Sequence, residues 1–202
     1  MNINLPNQLS IARCILAIIF VVFMSFTHWI TFAIAYLIFI IAAITDYCDG
    51  KIARQRKTVT KFGQLIDPVA DKVLMVAAFI MMMKLDELKI PGWCVVVILA
   101  REFLVTGVRA IAAADGNIIP ADPWGKLKTV FQMCYVFIFL FLATVRRFLL
   151  DVSFSSIPSE KVKSFDPLLG NFSLILIIFV SIYTLYSGTE LLWKNWEKLK
   201  LD

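Results

Sequence analysis

Six long apolar runs, separated by short polar stretches, occupy roughly residues 8–27, 30–50, 68–84, 91–114, 127–149 and 168–192. A helix needs about 17–25 such residues to cross about 30 Å of hydrocarbon. The pattern therefore predicts six transmembrane helices. Thr27, His28 and Trp29 form a very short turn between the first two. The second helix is expected to continue past the membrane to about Arg56. Asp67-Pro68 predicts the start of the third, with Asp67 as N-cap and Pro68 at the first helical position. Trp29, Trp93 and Trp193 fall where interfacial belt residues sit. His28, the one histidine, is expected to be a polar turn residue.

Composition agrees with that pattern. Sixty per cent of the 202 residues are hydrophobic, against roughly 45–50% in soluble domains, and the mean hydropathy is +0.81. The chain reads as an all-α integral membrane protein, a single domain over residues 1–202, with no repeat or low-complexity segment. Cys14, Cys48, Cys94 and Cys134 show no CxxC spacing, so they are expected to be buried thiols. The opening MNINLPNQLSIAR has no secretory-signal pattern; Leu5, Leu9 and Ile11 suit a membrane surface and Pro6-Asn7 a helix start.

The net charge of +5 fits anionic lipid and orientation rather than nucleic acid. Lys51, Arg54, Arg56, Lys57, Lys61, Lys126, Lys128, Lys194, Lys198 and Lys200 share one predicted side with both termini. On the other side the basic residues are diluted by acidic ones. The positive-inside rule makes the first side cytoplasmic. The outer segment 146–167 is expected to be a loop.

Four aspartates punctuate the end of the second run and the start of the third. Asp46 and Asp49 are three apart, and Asp67 and Asp71 four apart, so each pair shares a helix face. Converging carboxylates repel unless cations neutralise them, and hard oxygen donors select Mg²⁺, Mn²⁺ or Ca²⁺. Asp71 lies one turn inside a membrane helix, where an ionisable group is a functional candidate by default. Gly50 and Ala53 leave room for close approach, either by a diphosphate or by another helix.

The full pattern is Asp46-x-x-Asp49-Gly50-x-x-Ala53-Arg54, eight residues, then Gly63-x-x-x-Asp67-x-x-x-Asp71. It resembles the signature of the CDP-alcohol phosphotransferases at each fixed position. That resemblance implies a cytoplasm-facing polar active-site cavity and two metal ions, Mg²⁺ or Mn²⁺, held by Asp46, Asp49, Asp67 and Asp71. Asp71 would also serve as the base. It further implies CDP-diacylglycerol binding by Asn7, Gly50, Ala53, Arg54 and Gly63, and a homodimer in the inner membrane. Pro6, Asn7 and Arg13 also fit a family pattern near the nucleotide.

The fourth run carries Arg101 and Glu102 at mid-span, where an unpaired charge costs at least about 2.5–3.5 kcal/mol. They must be paired or face a polar cavity. Glu102 and Arg109, seven apart, share a face and can form an ion-pair ladder. Arg109, Lys126 and Lys128 suit a phosphate cradle. REFLVTGVR and GKLKT resemble the branch of the family that makes phosphatidylglycerophosphate, which implies glycerol 3-phosphate as the acceptor bound by Arg109, Lys126 and Lys128. Inositol phosphate or phosphatidylglycerol as acceptor, and a divalent-cation transporter, are the alternatives.

Overall fold

The computed structural model describes residues 5–56, 61–114, 123–152 and 158–195. The side chains of residues 46–69 and of Asp71 lie outside that description. The helices are α1 (Leu5–Met24), α2 (Trp29–Arg56), α3 (Lys61–Met83), α4 (Gly92–Ala114), α5 (Pro123–Asp151), α6 (Ser159–Ser164) and α7 (Asp166–Lys194), with a 3₁₀ turn at Asp86–Leu88. No strand occurs among the described residues.

The chain forms two compact units: residues 1–84 with 137–166, and residues 85–136 with 167–202. In the first, α1 packs on both α2 and α3. Ala17, Ala35, Ala42, Ala70 and Ala78 are buried and bring the backbones close, while Phe20, Phe32, Phe39 and Phe79 fill the space between. Phe20 and Phe39 meet at a centroid distance of 6.2 Å, and Tyr36 lies 5.3 Å from Phe137 and 5.8 Å from Phe141 of α5.

The turn before α2 is built by hydrogen bonds. His28 Nδ1 accepts from the Ile30 N–H at 3.2 Å, and Asp151 Oδ2, from the end of α5, accepts from the Trp29 N–H at 2.7 Å. Two of the orphan donors at the α2 N-terminus are thereby satisfied. His28 is exposed and holds the turn, in agreement with the sequence. Arg147 stacks over Phe32 at 5.3 Å, and Arg146 donates from Nε and Nη2 to both Asp166 oxygens at 2.7 Å.

In the second unit the 3₁₀ turn ends on Lys89 at φ 50°, and its Nζ donates to Asn171 Oδ1 at 3.1 Å. Gly170 of α7 sits against this turn, where an added Cβ would stand 2.9 Å from the Glu87 carbonyl oxygen. α7 then buries a stripe of small and polar residues: Ser173, Ser181, Thr184, Ser187 and Gly188 among them. Several of its large apolar side chains point outward, Leu168, Ile175 and Ile182 among them, while Ile177, Val180 and Leu191 join the buried face. Such an inverted helix suits lipid, where small residues make the interface and apolar bulk faces the chains.

Two stretches among the described residues, Gly125–Asp151 and Ser159–Lys194, are long and apolar enough to cross a membrane. Only 28% and 33% of their apolar windows are buried, unlike the core helix of a soluble protein. Shorter apolar helices run over Ser10–Met24, Trp29–Thr45 and Lys72–Met83.

The fold corrects three expectations. α3 begins at Lys61, so Asp67-Pro68 lies within it and is not its start. A proline there removes the bond that residue 68 would donate to residue 64 and crowds that carbonyl, yet the helix runs through it to Met83. The segment 146–167 is not simply a loop: α5 runs to Asp151, α6 forms, and α7 opens at Asp166. Cys94 is buried, but Cys14 is half-buried and Cys134 exposed; a thiol on an apolar helix face has no need of burial in lipid. By contrast α2 runs to Arg56 as the pattern requires.

Asp166 stands outside the apolar core of α7, and the hydrogen bond from Arg146 holds its carboxyl below the usual carboxylate range. A depressed folded-state pKa contributes stability that is present above the unfolded pKa and lost as pH falls through the folded value. Thermal unfolding in detergent should therefore show Asp166→Asn losing on the order of 1 kcal/mol at neutral pH, with the difference from wild type closing as pH falls through and below about 4.

Candidate functional site

The backbone of the aspartate pattern is helical throughout its two halves. Asp46, Asp49, Gly50, Ala53 and Arg54 lie in α2, and Gly63, Asp67 and Asp71 lie in α3. Each carboxylate pair is thus about one turn apart along its own helix. α1, which packs on both helices, carries Asn7 and a buried Arg13. The side chains of Asn7, Asp46, Asp49, Gly50, Ala53, Arg54, Gly63, Asp67 and Asp71 lie outside the described residues. Among the described residues no group of three or more His, Cys, Asp or Glu side chains is placed to hold a metal. The donor set itself, four carboxylates and no thiol or imidazole, fits a hard divalent cation and not zinc.

The basic candidates fall in the second unit, where the side chains are described. Arg101 and Lys128 are each 6% exposed. Lys128 Nζ donates to Glu102 Oε1, and Gln132 Nε2 reaches the same oxygen at 3.3 Å. Gln132 Nε2 also donates to Thr184 Oγ1 at 3.2 Å. Arg101 Nη2 donates to Ser187 Oγ at 3.0 Å, and its Nη1 lies 4.0 Å from Glu102 Oε1. α4 therefore contributes two opposite charges, α5 a lysine and an amide, and α7 two hydroxyls. A buried charge survives only with partners of this kind.

Relative to the sequence reading, Glu102 is engaged by Lys128 of α5. Lys126 and Lys128 part company: the first is exposed and the second buried, as residues about 200° apart on a helix must be. Arg109 is half-buried near the end of α4. The residues missed by sequence are Gln132, Thr184, Ser187 and Gly188. The polar positions Ser173, Ser181, Thr184 and Ser187 on one face of an otherwise apolar helix were the available signal.

Gly188 is where α7 admits Arg101. An added Cβ would lie 2.8 Å from Arg101 Nε and 2.9 Å from its Cγ. Only hydrogen leaves the guanidinium stem room to pass.

A profile of the CDP-alcohol phosphatidyltransferases matches residues 3–158. A CDP-diacylglycerol–glycerol-3-phosphate 3-phosphatidyltransferase of Bacillus subtilis is 35% identical over 98% of this chain and 97% of its own length. A protein of the same name from Rickettsia typhi is 41% identical over 64% of this chain and 72% of its own. A probable phosphatidylglycerophosphate synthase of Mycobacterium tuberculosis is 37% identical over 68% of this chain and 66% of its own.

Two glycine substitutions should have opposite signs. Gly188→Ala must displace Arg101 and should cost about 1–3 kcal/mol by overpacking. Gly107→Ala on α4 meets nothing within 4 Å and should gain up to about 1 kcal/mol from helix propensity. Thermal unfolding of the two variants in one detergent checks both.

Proposed function

This chain belongs to the CDP-alcohol phosphatidyltransferase family, and from that premise we propose that it transfers the phosphatidyl group of CDP-diacylglycerol to glycerol 3-phosphate. The products are phosphatidylglycerophosphate and CMP. The observation that carries the assignment is a near full-length relative of that name, together with an aspartate pattern that lies wholly on α2 and α3.

Asp46, Asp49, Asp67 and Asp71 would hold two divalent ions, Mg²⁺ or Mn²⁺, which when bound neutralise the diphosphate and the departing CMP. Gly50, Ala53, Arg54, Gly63 and Asn7 receive the cytidine diphosphate end of the donor, whose acyl chains stay in lipid. Arg109 and Lys128 take the phosphate of glycerol 3-phosphate and orient its primary hydroxyl, while Lys126, exposed on the opposite face of α5, draws the anion in from the aqueous side. Asp71 accepts the hydroxyl proton as that oxygen bonds to the β-phosphorus. The bond from the β-phosphorus to the bridging oxygen breaks, and CMP leaves with the electron pair. Each of these roles is carried from the motif to the matching residue.

In this reading the six apolar runs are six spans of the inner membrane, with both termini and the polar cavity on the cytoplasmic side, and the protein works as a homodimer. The basic residues at the cytoplasmic ends support that orientation. Buried cations on α4 and α5 favour a phosphorylated acceptor over serine.

The test is CMP release by purified protein with CDP-diacylglycerol and Mg²⁺, comparing glycerol 3-phosphate, inositol phosphate, serine and phosphatidylglycerol. Release should occur with glycerol 3-phosphate alone; another preferred acceptor would overturn the acceptor assignment. No release with any acceptor, alongside metal flux into liposomes, would indicate a transporter. Asp71→Asn should fold with the wild-type thermal transition and lose at least about 100-fold in kcat, the usual contribution of a general base. Full turnover by the Asp71→Asn protein would refute that role.

A further inference from the structure

The polar cluster of α4, α5 and α7 is built around one atom. Glu102 Oε1 accepts from Lys128 Nζ and from Gln132 Nε2, and Arg101 Nη1 lies 4.0 Å away. Gln132 in turn donates to Thr184. Thr184 is fully buried and Gln132 is 4% exposed, so neither has water to fall back on. Arg101 and Lys128 thus bring two buried cations to one carboxylate. A buried cation favours a nearby anion over a neutral ligand.

Without Glu102, two cations would repel across a low-dielectric space and Lys128 would lose an ion pair that orients its ammonium. With Glu102 free to rotate, the same pair would hold no set geometry. The amide of Gln132, anchored on Thr184 Oγ1, stops that rotation by occupying the same carboxylate oxygen as the lysine.

Resting on the function proposed above, we infer that Glu102, braced by Gln132 and Thr184, is a positioning residue that sets Lys128 for a phosphate monoester and so selects phosphorylated over uncharged acceptors. Thr184 places α7 in acceptor selection, although no residue of α7 is among those expected to touch substrate. The brace acts through Lys128 and touches neither donor nor acceptor.

The measurement is steady-state CMP release by the full-length protein, with CDP-diacylglycerol and glycerol 3-phosphate varied independently. Thr184→Val keeps the side-chain shape and removes the acceptor for Gln132. It should raise KM for glycerol 3-phosphate about fivefold, the factor for one neutral hydrogen bond, with KM for CDP-diacylglycerol and kcat nearly unchanged. Thr184→Ser should restore the wild-type value. Gln132→Met should behave as Thr184→Val, and Glu102→Gln should raise the same KM at least about tenfold. A merely structural role would reduce the active fraction and leave the acceptor KM where it was.

If Thr184→Val does not fold, an unchanged acceptor KM in Gln132→Met overturns the brace and a raised one supports it. Unchanged acceptor KM in folded Thr184→Val, or a rise shared equally by both substrates, also overturns it. In each of these cases wild-type turnover of glycerol 3-phosphate leaves the function standing. Wild-type turnover of an unphosphorylated acceptor instead overturns the function and this inference with it.

Discussion

Lipid cannot hydrogen-bond, and most of this structure follows from that one constraint. Each polar group inside an apolar helix must find a partner within the protein, on its own helix as Thr144 and Ser181 do or on another, because no solvent offers one. Arg101 and Glu102 sit in the middle of α4. Their partners come from α5 and α7. The charges thereby dictate which faces of three helices meet, a task that the hydrophobic effect performs in water and cannot perform between apolar surfaces in a membrane.

In the first unit the constraint is met differently. There alanine and phenylalanine dominate the buried faces beside the buried Arg13 and Ser10 of α1, while at helix ends Asp151 and His28 satisfy donors of α2 and Arg146 meets Asp166. The aspartate pattern is carried by the ends of α2 and α3 next to this apolar packing. Rigid helices are a better support for a set of carboxylates than loops, since register alone fixes the interval between members of each pair.

Much of this was legible in the residues. Long apolar runs can be little other than helices, so their approximate extent was readable, and the short turn at His28 followed from the polar interruption. α2 had to continue to Arg56 because Asp46, Asp49, Gly50 and Ala53 make sense on a common helix. The start of α3 was not legible because an interior proline costs about 3 kcal/mol, so the residues alone favour a start at Pro68, whereas α3 runs from Lys61. The partners that Glu102 finds on other helices escaped notice for another reason. Arg109 is reachable by counting along one helix, whereas Lys128, Gln132 and Thr184 come near only once α4, α5 and α7 have packed. Spacing within a segment is printed in the chain; adjacency between segments is a product of folding.

α7 shows what this means for the chain as a carrier of information. Its outward positions hold large apolar groups that any other large apolar group could replace, because a fluid surrounding has no shape to match. Its inward positions are mostly small, hydrogen or a hydroxyl set beside Ile177, Val180 and Leu191, and at Gly170 and Gly188 a single extra carbon would crowd its neighbours. The helix is thus spelled in its smallest letters, and the bulk that dominates its composition is closer to blank space.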